Sequence, residues 1–168
     1  MADGFAELER VAGPELLKLD NQLCFALHAA ARDVVRAYRP LLEQLGVTYS
    51  QYLVLLVMWE WQRTPESRPT LSALGARLAL DSGTLTPLLN RLEQRGLVSS
   101  HRPTRDQRER VLRLTPAGRR LETRARKVPI ELLRCSALPL GDLMRLRDEL
   151  KRLRAALQGQ AAPQGTTD

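Results

Sequence analysis

The stretch Thr70-Leu-Ser-Ala-Leu-Gly-Ala-Arg-Leu-Ala-Leu-Asp-Ser-Gly-Thr-Leu-Thr-Pro-Leu-Leu-Asn-Arg-Leu-Glu-Gln-Arg-Gly-Leu-Val98 carries two helical patterns separated by one tight turn. In the first, Thr70 to Leu80, the residues Leu71, Leu74 and Leu78 recur at the three- and four-residue steps of one helix face. Asp81 then stands as N-cap to a second helix, Ser82 to Arg95, which Gly96 stops. The apolar face of this second helix is Leu85, Leu88, Leu89 and Leu92, which leaves Ser82, Thr84, Thr86, Pro87, Asn90, Arg91 and Gln94 on its other sides. Pro87 is unusual inside a helix, because it has no N–H and leaves one carbonyl without its donor. Two helices joined in this way, the second uncharged near its start and polar outward, form a candidate helix-turn-helix.

Downstream, Leu97-Val98 and Val111-Leu-Arg-Leu114 read as two short strands around the arginine-rich turn Arg102-Pro-Thr-Arg-Asp-Gln-Arg108. Helix, helix, strand, basic turn, strand predicts a winged helix-turn-helix, a mainly α fold with a small β wing. A helix that presents Ser, Thr and Asn near its N-terminus suits the major groove, where hydroxyls and amides read base edges. Arg102, Arg105 and Arg108 on the hairpin are placed to follow the phosphate backbone or enter the adjacent minor groove. Asp106, two residues before Arg108, is expected to pair with it or cap the turn.

Charge supports a polyanionic partner. The chain carries a net +7, yet between Arg95 and Lys127 eleven basic residues face three acidic ones (Asp106, Glu109 and Glu122), a local +8 that leaves the remainder at −1. A positive field gathered on one segment points to nucleic acid ahead of an anionic membrane.

Working outward, Pro14 to about Leu45 shows Leu16, Leu19, Leu23, Leu27, Ala30, Val34 and Leu41 at helical steps, which predicts one long helix, kinked or divided at Pro40 and stopped at Gly46. Thr48-Tyr-Ser-Gln51 fits a capping box that opens an almost wholly apolar helix to about Gln62, the expected centre of the core. Thr115-Pro-Ala-Gly118 opens a helix continuing toward Ser136, and a last helix runs from Leu140 to Leu157. Residues 1–13 read as a flexible arm and 159–168 as a disordered tail. The flanking helices hold more leucine than one small core can cover, which predicts a homodimer. Two-fold symmetry sets two recognition helices about 34 Å apart, the spacing of a palindromic operator on double-stranded DNA.

The two cysteines, Cys24 and Cys135, are far apart, each in an apolar helical context. No Cys/His cluster has metal-ligand spacing, so neither metal nor cofactor is expected, and no catalytic motif stands out. There is no secretory pattern and no apolar run long enough to span a bilayer, which predicts a cytoplasmic protein with no membrane partner. On the residues alone, the cysteines are either core packing or a redox pair.

Together, Thr70 through Val98, Arg105-Asp-Gln-Arg108 and Leu114-Thr-Pro-Ala-Gly118 resemble the multiple-antibiotic-resistance regulator (MarR) family over roughly residues 14–157. That resemblance implies a single domain over 14–158, with 14–48 and 119–158 as dimerisation helices and 49–118 as the winged-helix DNA-binding region. Within the family, Leu19-Asp-Asn-Gln-Leu-Cys-Phe-Ala-Leu27, Ala37-Tyr-Arg-Pro-Leu-Leu42 and Leu45-Gly-Val-Thr-Tyr-Ser-Gln-Tyr-Leu53 are similar to the organic hydroperoxide resistance regulators. The resemblance makes Cys24 the peroxide-reactive thiol, with Tyr38 and Tyr49 of the partner subunit hydrogen-bonding its thiolate and Cys135 as the second cysteine of the two-cysteine branch. His28 stands where the subfamily pattern usually has tyrosine. Its imidazole offers a hydrogen bond, or in charged form a counter-charge, to the thiolate.

A thiol attacks a peroxide only as thiolate, and phenolic donors favour that form. Oxidation of Cys24 to sulfenic acid, followed by a disulfide to Cys135 of the partner subunit, is expected to move helices and release the operator. The expectation is therefore a repressor that senses organic hydroperoxide and is not an enzyme. Two alternatives stay open: a MarR-type repressor released by a small phenolic ligand without redox chemistry, and a thiol peroxidase using both cysteines.

Overall fold

The computed structural model describes residues 14–64, 69–102 and 109–160. Its centre is the helix predicted to be apolar on every side. Thr48 accepts the backbone N–H of Gln51, and the Gln51 amide oxygen accepts the Thr48 N–H at 2.9 Å, which completes the capping box. The helix that follows, here α2 (Tyr49–Trp61), buries Tyr52, Val54, Leu55, Val57, Met58 and Trp59. Each large apolar side chain removed from water in this way contributes about 1.5–3 kcal/mol.

The preceding helix differs from the expectation at its start. Instead of one helix from Pro14, the chain makes two short 3-10 turns, Pro14–Leu17 and Leu19–Asn21, before α1 (Leu23–Glu43). Asn21 is the reason: its side-chain amide donates to the Glu15 carbonyl at 2.8 Å, and the Gln22 amide donates to Leu16, so local polar side chains outcompete the helical ladder. Pro40 does not divide α1. It and Arg36, whose carbonyl loses its donor, are both exposed, and an open surface tolerates such a loss better than a core does. Gly46, at φ 68°, ends the segment as read from sequence.

The helix-turn-helix forms as expected. Thr70 caps α3 (Leu71–Leu78), Ala79 turns at φ 54°, and Asp81 caps α4 (Ser82–Gln94), with Gly96 at φ 65° after it. Leu74, Leu85, Leu89 and Leu92 are wholly buried, whereas Leu88 is only half-buried. The strands are β1 (Val98–His101) and β2 (Val111–Leu114), antiparallel, with Val98 opposite Leu114 and His101 opposite Val111. Leu97 precedes the sheet instead of opening it.

Thr115 caps α5 (Pro116–Ala125) by accepting the Gly118 N–H at 3.1 Å, and the Trp59 indole donates to the Gly118 carbonyl at 2.9 Å. Gly118 lies so close to the Leu97 carbonyl that a Cβ has no room there. Glu122, nearly buried, accepts from Gln62, Arg63 and Arg126, which ties α5 to the end of α2. The helix expected to continue to Ser136 breaks at Arg126, and α6 (Lys127–Cys135) follows. Pro129 explains the break, because it cannot donate to the Ala125 carbonyl and crowds it.

The chain divides into two compact units, residues 1–128 and 129–168. The second contains most of α6 and all of α7 (Leu140–Gln160). Gly159 and Gln160 are helical, two residues into the stretch expected to be a disordered tail. The expected arm, 1–13, and the rest of the tail, 161–168, lie outside the described residues. Leu140, Met144, Leu146, Leu150 and Leu157 of α7 are exposed. No helix among the described residues is long and apolar enough to cross a membrane.

Candidate functional site

On the side expected to meet DNA, α4 presents its polar residues outward. Ser82, Thr84, Pro87, Asn90 and Arg91 are exposed, and Thr86 is half-buried. The threonines are committed at the helix start. The Asp81 carboxylate accepts the Thr84 N–H at 2.8 Å and its hydroxyl at 2.9 Å, and the Thr86 hydroxyl donates to the Ser82 carbonyl at 2.7 Å. The Thr84 backbone and side-chain hydrogen bonds hold Asp81 below the usual carboxylate value, so the cap is ionised at neutral pH. Arg102 is exposed at the end of the described part of the wing, while Arg105, Asp106 and Arg108 lie outside the described residues.

On the thiol side, Cys24 is exposed near the start of α1 and Cys135 is exposed at the end of α6. Exposure of both removes the core-packing alternative for the single chain. Tyr38 and Tyr49 are brought together, ring centroids 5.3 Å apart, and Tyr38 also meets Tyr52 at 5.8 Å. Burial first, and then Tyr49, raises Tyr38 above the ordinary phenol range, and burial with both neighbours pushes Tyr52 up to about 12. These phenols therefore keep their O–H through neutral pH.

The chain does not bring its own Cys24 to its own Tyr38. Fourteen residues of continuous helix separate them, about 21 Å at 1.5 Å per residue. They do share a face, since fourteen steps of about 100° return to within about 40° of the start. His28, one turn after Cys24, is exposed and lines an open groove of about 820 Å³ with Ala31, Val35, Leu42, Val47 and Tyr49, and Arg32, Arg36 and Arg39 at its side. Among the described residues no cluster of His, Cys, Asp or Glu is arranged to hold a metal ion.

Residues 36–124 match the family described as transcriptional regulator SarA/Rot. The chain belongs to the SarA/Rot family. This SarA/Rot-family chain is 42% identical over 137 residues to the organic hydroperoxide resistance transcriptional regulator of Bacillus subtilis, covering 82% of this chain and 90% of that one. Its fold is similar to reduced AbfR bound to DNA (TM-score 0.68, 37% identity, 86% of this chain and 97% of that one). It is also similar to the disulfide form of AbfR (TM-score 0.57, 32% identity, 97% and 100%), a protein of Staphylococcus epidermidis. The protein is thus a winged-helix transcriptional regulator, not an enzyme.

One group in the SarA/Rot-family DNA-binding unit escapes a reading of the sequence. Arg110, counted there only as part of the basic excess, donates to Ser100 Oγ at 2.8 Å, Asn90 Oδ1 at 3.2 Å and Glu93 Oε2 at 2.7 Å. The partners lie 10 to 20 residues away, beyond any helical or strand period. Tyr52 is a second such case, marked by its sequence only as core and placed by the fold behind Tyr38.

Proposed function

We propose that this regulator is a homodimeric repressor that senses organic hydroperoxide through Cys24 and leaves a palindromic operator when oxidised. The observation that carries the reading is the split thiol site. An exposed Cys24 sits at one end of an α1 face and a tilted Tyr38–Tyr49 pair in contact at the other, an arrangement that favours a site completed by a second chain. A two-fold axis crossing α1 near Ala31, midway between the two, brings Cys24 of each copy to the tyrosines of the other. The small side chains Ala29, Ala30 and Ala31 allow close approach there, and exposed Leu23, Phe25, Val34 and Val35 gain cover. The similarity to AbfR in reduced and disulfide forms adds support.

In the reaction, the Cys24 thiolate attacks one peroxide oxygen, the O–O bond breaks, and the alkoxide leaves as an alcohol on taking a proton. Tyr38 and Tyr49 donate to the thiolate beforehand, and His28 lies one turn away as a further donor. The sulfenic acid condenses with the thiol of Cys135 of the partner subunit, forming the S–S bond and releasing water. Two thiols and one hydroperoxide thus become one disulfide, one alcohol and one water. On the DNA side, Ser82, Thr84, Thr86, Pro87, Asn90 and Arg91 form the groove-facing surface, with Arg102, Arg105, Asp106 and Arg108 in the wing.

The test is a non-reducing gel and intact mass after cumene hydroperoxide. Wild type is expected to form a linked dimer, and Cys135→Ser to stop one oxygen heavier per chain. A treated wild type that stays monomeric on the gel refutes the intersubunit disulfide. A second reading, release by a small phenolic or acidic ligand, draws on the arginine-flanked groove beside His28 and Tyr49. An undiminished hydroperoxide response in Cys24→Ser would favour it.

A further inference from the structure

Arg110 lies inside the most basic segment of the chain, but its surroundings are not those of a phosphate-binding arginine. Its side chain is only 17% exposed, and it is paired with Glu93, itself 26% exposed, which cancels its charge at the site. Its donors are directed to β1 through Ser100 and to α4 through Asn90 and Glu93. Its own carbonyl accepts the Leu71 N–H at 2.9 Å, which fastens the first turn of α3. One residue at the root of the wing therefore joins both helices of the helix-turn-helix to the hairpin.

The contact with Asn90 has a chemical consequence. A guanidinium has only donors, so the carboxamide that faces it must turn its oxygen inward. We infer that Arg110 is a positioning residue that sets base preference: it holds the Asn90 oxygen so that exposed Asn90 meets the major groove with its N–H donors. A donor presented alone suits an edge whose acceptors have no donor beside them, the O6 and N7 of guanine or the O4 of thymine, whereas adenine sets its N6 donor next to its N7 acceptor. The two-bond pairing of asparagine with adenine needs oxygen and N–H together on the same base, and here Arg110 takes one lone pair of the oxygen and holds it toward the wing, which disfavours that pairing. The inference rests on the placement of α4 in the major groove proposed above.

The experiment uses the full-length dimer. Operators are first selected from random duplexes with wild type. Affinity is then measured for every single base-pair substitution, at several salt concentrations, for wild type, Arg110→Met, Asn90→Ala, Asn90→Asp and Arg91→Ala. Wild type is expected to prefer guanine or thymine at one half-site position, and Asn90→Ala to lose that preference there alone. Arg110→Met is expected to shift preference toward adenine at the same position by roughly tenfold, the discrimination of one bidentate contact. Its salt dependence should stay as in wild type, because no phosphate contact is lost.

A uniform loss across all operators in Arg110→Met, or a salt slope lower by about one, overturns the inference in favour of scaffolding or phosphate binding. Asn90→Asp keeps an acceptor for Arg110, replaces the donor by a second acceptor and adds a negative charge. If Arg110→Met does not fold, it decides the matter by loss of preference at that one base pair beyond the uniform weakening that the charge gives. A wild-type profile in Asn90→Asp also overturns the inference. If Asn90→Ala changes nothing while Arg91→Ala alters the profile, the inference falls and α4 still reads DNA. If neither changes it, the placement of α4 falls too.

Discussion

The DNA-binding half and the thiol half of this protein are completed in opposite ways. Around α4, polar groups find partners within the chain: Asp81 caps Thr84, Thr86 bonds Ser82, and Arg110 links Asn90, Glu93 and Ser100. Around α1, the parts are left apart. Cys24 faces solvent, Tyr38 and Tyr49 wait at the other end of the helix, and Leu23, Phe25, Val34 and Val35 are uncovered. On the function proposed above, a groove-reading surface on α4 gains from being preorganised within a chain, and a thiol switch between two chains gains from being built out of both.

The strongest challenge to this contrast is complementation in mixed dimers. Cys24→Ser is expected to abolish hydroperoxide-induced release while leaving operator affinity unchanged. Tyr38→Phe, which keeps the ring contacts with Tyr49 and Tyr52, is expected to slow sulfenic acid formation by roughly tenfold or more, the scale of one hydrogen bond to a charged group. A mixed dimer of the two variants contains one thiol site with both wild-type groups if the site is shared, and its single active thiol should react at the wild-type rate in stopped-flow measurements. Failure to recover that rate would place the site within one chain.

Leu85→Ala tests the other half. Leu85 is wholly buried under α4, so the truncation should cost about 2–5 kcal/mol in urea unfolding and weaken operator binding in proportion to the unfolded fraction. A small cost would mean that α4 is held by its polar links more than by its leucines.

A subtler effect concerns Asp81. Its folded-state value lies below the ordinary carboxylate value, so its stabilising contribution is present above the unfolded-state value and is lost as pH falls through the folded one. Asp81→Ala should therefore melt lower than wild type at pH 7, and the gap should close on acidification below the carboxylate range. A gap independent of pH would remove the ionised cap from the explanation.

The smallest change is expected from Ala79→Gly. Ala79 turns the helix-turn-helix at φ 54° and ψ 45°, where glycine is at ease. The substitution should stabilise by about 0.5 kcal/mol with DNA binding unchanged.

Much of this architecture was legible from short-range patterns. Thr48, Asp81 and Thr115 each cap the helix predicted after them, Thr70 caps a helix it was expected to open, and Gly46 and Gly96 each follow a helix end. Caps and stops depend on atoms within three or four residues, which is why residue types alone reveal them. The failures have local causes that periodicity does not weigh. Asn21 and Gln22 fold back on the 3-10 turns before α1, and Pro129 breaks the helix after Ala125.

The chemistry divides along the same line. Residue order was enough to mark a helix-turn-helix with a basic wing, because buried leucines repeat at the helical period and turn residues have few conformations open to them. It was also enough to single out Cys24, Tyr38, Tyr49 and Cys135 through their resemblance to a family. That Tyr38 and Tyr49 meet, that Cys24 stands about 21 Å along α1 from Tyr38, and that Arg110 donates to the Asn90 oxygen became visible only in three dimensions. Contacts across 11 or 20 residues depend on how helices pack against one another, and packing is settled by the whole core at once.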